Sequence, residues 1–271
     1  MAPPPTPPPP ASENNAPIPP DDEEKYPTPR LTLRLDDLAH EGTRLFLQAI
    51  ADPPKDLRTV IVAALRGLYR EPEKAVKHVE EVLFVVRPMD GVAYTTGTHT
   101  HKQVHLSAEH VVNSSKRLRD EVMGVLVHEA VHCFQHNARG TAPGGLIEGV
   151  ADFVRLRAGL APPHWAPGKR ADKWDAGYGT TALFLDWIET RYGDGAIAEL
   201  NASLDDKEWD ERLFKELTGR KVVKLWGLYC DEVEGGGRAS LGIHAGQRAD
   251  VERRDSVRDE EDSGWEVVKD E

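Results

Sequence analysis

A helix that is apolar on nearly every side has to be buried on nearly every side. Residues 117–138 read as such a helix: RLRDEVMGVLVHEAVHCFQHNA, with Val125, Leu126, Val131 and Phe134 distributed around it. The other elements must therefore be arranged to cover it. Upstream, Leu31, Leu33 and Leu35 alternate with polar residues, which predicts a strand. Apolar residues at helical spacing follow over about 40–51 and 57–69, broken by Pro53-Pro54. Two β-rich stretches come next, 81–86 (EVLFVV) and 91–112, the second containing GVAYTTG and QVHLSAEHV and reading as a hairpin. After Asn113-Ser114-Ser115 the pattern is helical almost to Val233. The expectation is an α+β domain: a small N-terminal sheet packed on one long helix, then a helical C-terminal half.

The two ends differ from this body. Twelve of the 20 prolines fall within residues 1–29, a segment with little apolar mass that reads as a disordered tail. From 234 onward a Gly-rich linker (GGGRASLGIHAG) leads into densely charged sequence, again a tail. The predicted organisation is a tail over 1–29, one domain over 30–233, and linker plus acidic tail over 234–271. Of the formal net charge of -12, the first segment carries -4, residues 232–271 carry -6 and the body about -2. A body without a strong field of either sign recommends neither nucleic acid nor an anionic membrane as partner, and a monomer is expected. No apolar run approaches the ~20 residues of a membrane span. The start, MAPPPTPPPP, shows no basic n-region or apolar h-region, so the expected location is cytoplasmic or unconventionally secreted. Two cysteines, Cys133 and Cys230, exclude a disulfide-rich scaffold.

The buried helix carries His128-Glu129-Ala130-Val131-His132, an HExxH. Positions i and i+4 share one helix face, so two imidazoles there can grip one zinc ion. Glu129 borders that site without ligating it, where a carboxylate can take a proton from a zinc-activated water. The helix stops at NARG and a short TAPGG loop precedes a second helix over 146–158, LIEGVADFVRLRA. So short a hairpin can return Glu148 beside the two histidines, completing a His₂Glu set with room for water. Asp152, one turn on, can accept the distal N–H of a ligating imidazole. His136 lies two turns from His128, too far to share its metal along an intact helix, and is expected at the surface or in a second layer. His99, His101 and His105 would share one face of a strand and form a possible second site, with a polar hairpin as the plainer reading. Cys133 points away from His132 around the helix and reads as a small buried thiol.

HExxH followed by ExxxD on the next helix resembles the gluzincin class of zinc peptidases. The wider stretches GVLVHEAVHCFQHN, GGLIEGVADFVRLRAGLAPPHW and KRADKWDAGYGTTALFLDWIETRYG resemble the basic secretory protein family, also called peptidases of plants and bacteria. The resemblance runs from about Leu31 to Val233. It implies a zincin-like domain with Zn²⁺ ligands His128, His132 and Glu148, a general base at Glu129, and a peptide or protein as substrate. The chain departs from many members in being acidic. The function expected is zinc-dependent peptide hydrolysis; the alternative is a catalytically weak zincin-fold binding protein, against which Glu129 counts, and a structural zinc domain would need a fourth strong ligand. An oxyanion donor is expected beyond the ligand helix, from Tyr178 in DAGYG or, second, His164 in APPHW. The strand containing Gln103–His110 is expected to offer its edge to an extended substrate.

Overall fold

Alternation sorts β1 (Arg30–Leu35) into one face that meets the core and one that meets water. In the computed structural model, which describes residues 25–165 and 172–234, β1 joins β2 (Glu81–Arg87), β3 (Ala93–Gly97) and β4 (His101–Ser107). The strand order is β1-β2-β4-β3. β1 pairs with β2 and β2 with β4 in parallel, and β3 and β4 form the expected antiparallel hairpin. Val82, Phe84, Val86, Val104 and Leu106 bury the inner face. The chain is thus α+β, as expected. It divides into two units, Met1–Ala239 and Ser240–Glu271, and every described residue lies in the first. Of the tails expected over 1–29 and 234–271, residues 1–24 and 235–271 lie outside the described residues. Residues 25–29 are described, and Tyr26 there is buried with its hydroxyl donating to the Arg70 carbonyl at 2.6 Å.

Two helices connect β1 to β2: α1 (Glu41–Ala49) and α2 (Pro53–Tyr69). Pro53-Pro54 open α2 rather than interrupting a pattern that starts later, because the first helical turn needs no N–H partners; Asp52 caps the Lys55 N–H. A second difference concerns β4. It is an interior strand, paired with β2 and β3, so its edge is not open to a substrate. Beyond Ser107 the chain leaves the sheet as α3 (Ala108–Asn113), because the Ser107 hydroxyl accepts from the His110 N–H and caps a helix. The open edge beside the hairpin belongs to β3.

The apolar helix is α4 (Leu118–Phe134), and residues 122–131 are buried without exception. It packs against α2, β3, β4 and α5 (Gly144–Arg157). Glu121 ties three helices together: its carboxylate meets His110 of α3 at 3.5 Å and Arg155 of α5 at 3.0 Å. Beyond α5 come α6 (Tyr178–Tyr192), α7 (Ala196–Ser203), α8 (Leu213–Thr218) and α9 (Val222–Glu234). Glu189 of α6 accepts the Gly195 and Ile197 N–H groups and holds the start of α7. Among the described residues no helix is long and apolar enough to cross a membrane. Cys133 and Cys230 are buried and form no disulfide.

The position of α5 depends on how closely its first turn meets the strand-free segment ahead of α6. A Cβ on Gly145 would lie 1.9 Å from the Asp175 carbonyl oxygen, whereas one on Gly144 would meet nothing within 4 Å. Gly145→Ala is expected to destabilise the domain by about 1–3 kcal/mol in urea unfolding, the usual cost of overpacking. Gly144→Ala should stay within about 0.5 kcal/mol of wild type. Equal effects would show that this contact does not set the packing of α5.

Candidate metal centre

The spacing His-x-x-x-His on α4 and the Glu-x-x-x-Asp on α5 meet where the two helices pack. His128 and His132 turn the same ring nitrogen toward each other, Nε2 to Nε2 at 3.2 Å. Glu148 closes the triangle, with Oε2 3.2 Å from His128 Nε2 and Oε1 3.7 Å from His132 Nε2. Among the described residues this is the group of His, Cys, Asp or Glu side chains that could hold a metal ion. The fit can be judged from the separations alone. Three donors bonded at about 2.0–2.1 Å with tetrahedral angles stand about 3.3 Å from one another. His128 Nε2 stands at nearly that distance, 3.2 Å, from both His132 Nε2 and Glu148 Oε2, and a donor set of two nitrogens and one oxygen suits a borderline divalent ion such as zinc.

Each histidine is held from behind. Asp152, 2 % exposed, sets Oδ1 2.7 Å from His128 Nδ1, so the ring's proton lies on Nδ1 and Nε2 is turned to the triangle. The side chain of Gln135, the residue at which α4 ends, lies 2.8 Å from His132 Nδ1. The charges divide unequally. Burial disfavours a proton on His128, but Asp152 and Glu148 outweigh burial and raise its pKa. Burial, then the neighbouring His128 charge, lowers that of His132. Hydrogen bonding to His128 lowers the Glu148 carboxyl against the effect of burial.

Glu129 lies on the same helix, 7 % exposed and outside the triangle. Burial raises its pKa, while the Thr95 hydroxyl, donating to Oε2 at 2.7 Å, pulls it down. Thr95 belongs to β3, so the open sheet edge and the carboxylate are one side chain apart. The sequence reading missed both Thr95 and Gln135. Gln135 stands three residues after His132, a helical-neighbour spacing that could have flagged it. Thr95 has no such local signal, since only the hairpin register turns it inward.

Tyr178 opens α6 with φ +47° and is 61 % exposed. Its ring lies 6.3 Å from that of His128, nearly parallel to it. Glu148 first, then burial, Asp152 and Glu129, raise the pKa of its phenol, so it is protonated at neutral pH. His164 is exposed in the turn after α5, and no contact among the described residues joins it to the triangle. His136 lies beyond the end of α4, between Asp205 at 3.1 Å and the Tyr69 hydroxyl at 3.3 Å. The three histidines of the possible second site do not gather. His99 stacks on His78 in the hairpin turn, His101 is exposed, and His105 is buried under Tyr94. Burial pushes the Cys133 thiol up to about 12, which leaves it inert.

Glu148→Ala is expected to weaken zinc binding by more than about 100-fold in competition with a chromophoric chelator, beyond the effect typical of an outer-shell partner. His136→Ala should change it less than about threefold, because that ring faces Asp205 and Tyr69. Similar losses in the two variants would mean that Glu148 is not the third ligand.

The model of a family described as BSP, peptidase of plants and bacteria, matches residues 28–229. No curated protein and no solved structure matches the chain.

Proposed function

The chain belongs to this family of peptidases of plants and bacteria, and on that premise we propose that it is a zinc-dependent, gluzincin-like metallopeptidase with His128, His132 and Glu148 as ligands. The observation that carries the proposal is the cluster of His128, His132 and Glu148, with the two Nε2 atoms 3.2 Å apart, Glu148 Oε2 3.2 Å from the first ring and Oε1 3.7 Å from the second, beside a buried carboxylate that takes no part in it. Zinc held there would polarise the scissile carbonyl and acidify the attacking water. Glu129 accepts the proton of that water and delivers it to the leaving amine. Its raised pKa suits a group that must both take and return a proton. Thr95 keeps the carboxylate aimed, and Tyr178 donates its phenolic hydrogen to the developing oxyanion.

The substrate we infer is an extended peptide backbone lying along β3. The bonds from Thr98 N to His101 O and from Ser107 N to Val92 O show which residues face β4. Alternation then turns the N–H and C=O groups of Ala93, Thr95 and Gly97 to the open edge. A strand added there would run past Thr95, whose side chain holds the base.

Glu129→Gln should lower peptide cleavage by about 100-fold or more while the zinc content stays that of wild type, since an amide accepts no proton. Loss of zinc, or cleavage at the wild-type rate, would refute the role. Tyr178→Phe is expected to lower kcat about 10- to 1000-fold with KM and zinc content nearly unchanged. A Phe variant with the wild-type kcat would eliminate Tyr178 as the donor.

A further inference from the structure

The two histidines of the triangle are supported differently. A ring that ligates through Nε2 needs its lone pair there, so its hydrogen must sit on Nδ1 and be given to an acceptor. His128 has a carboxylate for this purpose, Asp152 at 2.7 Å. His132 has the carboxamide of Gln135 at 2.8 Å. That group can accept through Oε1 or donate through Nε2, and a half turn about its last bond exchanges the two with little change of shape. The orientations have opposite consequences. With Nε2 toward the ring, the amide donates to Nδ1 and the ring's own hydrogen moves to Nε2, into the donor triangle. With Oε1 toward the ring, Nδ1–H is bound and Nε2 is free to ligate.

In the orientation recorded, Oε1 is buried and without a partner among the described residues. Among the described residues the His132 ring is the one hydrogen-bonding partner of the carboxamide, which lies with Nε2 2.8 Å from Nδ1, and a half turn sets Oε1 in that place. Gln135 also sits where α4 stops, its backbone extended at φ -73°, ψ 148° and its N–H given to the Val131 carbonyl. From there the side chain reaches back to the His132 ring.

We propose that Gln135 is a positioning residue that, with its carboxamide turned so that Oε1 faces the ring, accepts the Nδ1–H of His132 and so supports the metal-binding tautomer. The inference rests on the zinc reading given above. A neutral acceptor is the apt choice: Glu129, Glu148 and Asp152 already face the pair, and a glutamine fixes the tautomer without adding a fourth carboxylate. Asp152 and Gln135 then do the same job for the two rings, one with a charge and one without.

The test compares full-length wild type, Gln135→Met, which keeps the length and removes the acceptor, and Gln135→Glu, which can only accept. Zinc affinity is measured by chelator competition, and the His132 tautomer of the zinc-loaded protein by long-range ¹H–¹⁵N NMR. Gln135→Met should bind zinc about 10- to 100-fold more weakly, the usual loss for an outer-shell partner. Gln135→Glu should bind at least as tightly as wild type and show His132 with its proton on Nδ1. Wild-type affinity in Gln135→Met, or an equal loss in Gln135→Glu, would overturn the positioning role while leaving the zinc site intact. If Gln135→Met does not fold, the Glu variant decides by the same two measurements. Wild-type protein that takes up no zinc would overturn both this inference and the zinc reading beneath it.

Discussion

Burying an imidazole or a carboxylate removes it from water, and each such group then needs a partner or a charge to replace what was lost. His128, Glu129 and Asp152 are all less than a tenth exposed, on two helices that are otherwise core. His128 is answered by Asp152 and Glu148, Glu129 by Thr95, and His132 by Gln135. None of these partners is spare. Buried bonds of this kind rigidify the elements that they join, so they fix the packing of α4 against α5 and β3 together with the apolar contacts around them.

The hairpin of α4 and α5 can only satisfy those bonds if its helices approach closely, and small residues permit that. Gly145 lets the first turn of α5 touch the Asp175 carbonyl, and Gly149 lets the same helix meet Thr181 of α6, whose Cγ2 would lie 2.2 Å from an added Cβ. Thr181 in turn accepts from the Gly177 N–H and donates to the Trp174 carbonyl. The start of α6 is thereby pinned to α5, and the left-handed backbone at Tyr178 directs an exposed phenol over His128. A non-glycine residue at positive φ costs energy that its surroundings must supply. Here they are the same contacts that bring Glu148 to the histidines.

Thr95 links the sheet to this arrangement. Its side chain points inward to Glu129 and its backbone outward to the open edge of β3. The outermost strand of a sheet is normally something a fold must protect. In this chain β3 is five residues long and lies directly beside the buried carboxylate, so the unpaired edge and the proposed base occupy one place.

Much of the centre was legible in the amino-acid order because it is local. His128 and His132 share a face by helical period, as do Glu148 and Asp152, and a connection of only nine residues, 135–143, lets the two helices pack side by side. The apolar surround of the first pair announced burial before any coordinates. The strand alternation of Leu31–Leu35 and the helical character after residue 115 were equally local. What local pattern misjudged was competition at element ends: QVHLSAEHV continues a strand by composition, but the Ser107 hydroxyl caps a helix instead, and two prolines that look like a break begin α2. Other features could be decided only by tertiary structure. That β4 is interior and β3 the edge depends on parallel pairing with β2, between residues some 20 apart in sequence. That Thr95 reaches Glu129 and Tyr178 reaches His128 depends on which face of a hairpin meets α4 and how closely α6 meets α5. Periodicity tells which residues share a side of one element; which elements touch is settled by the packing of all of them together.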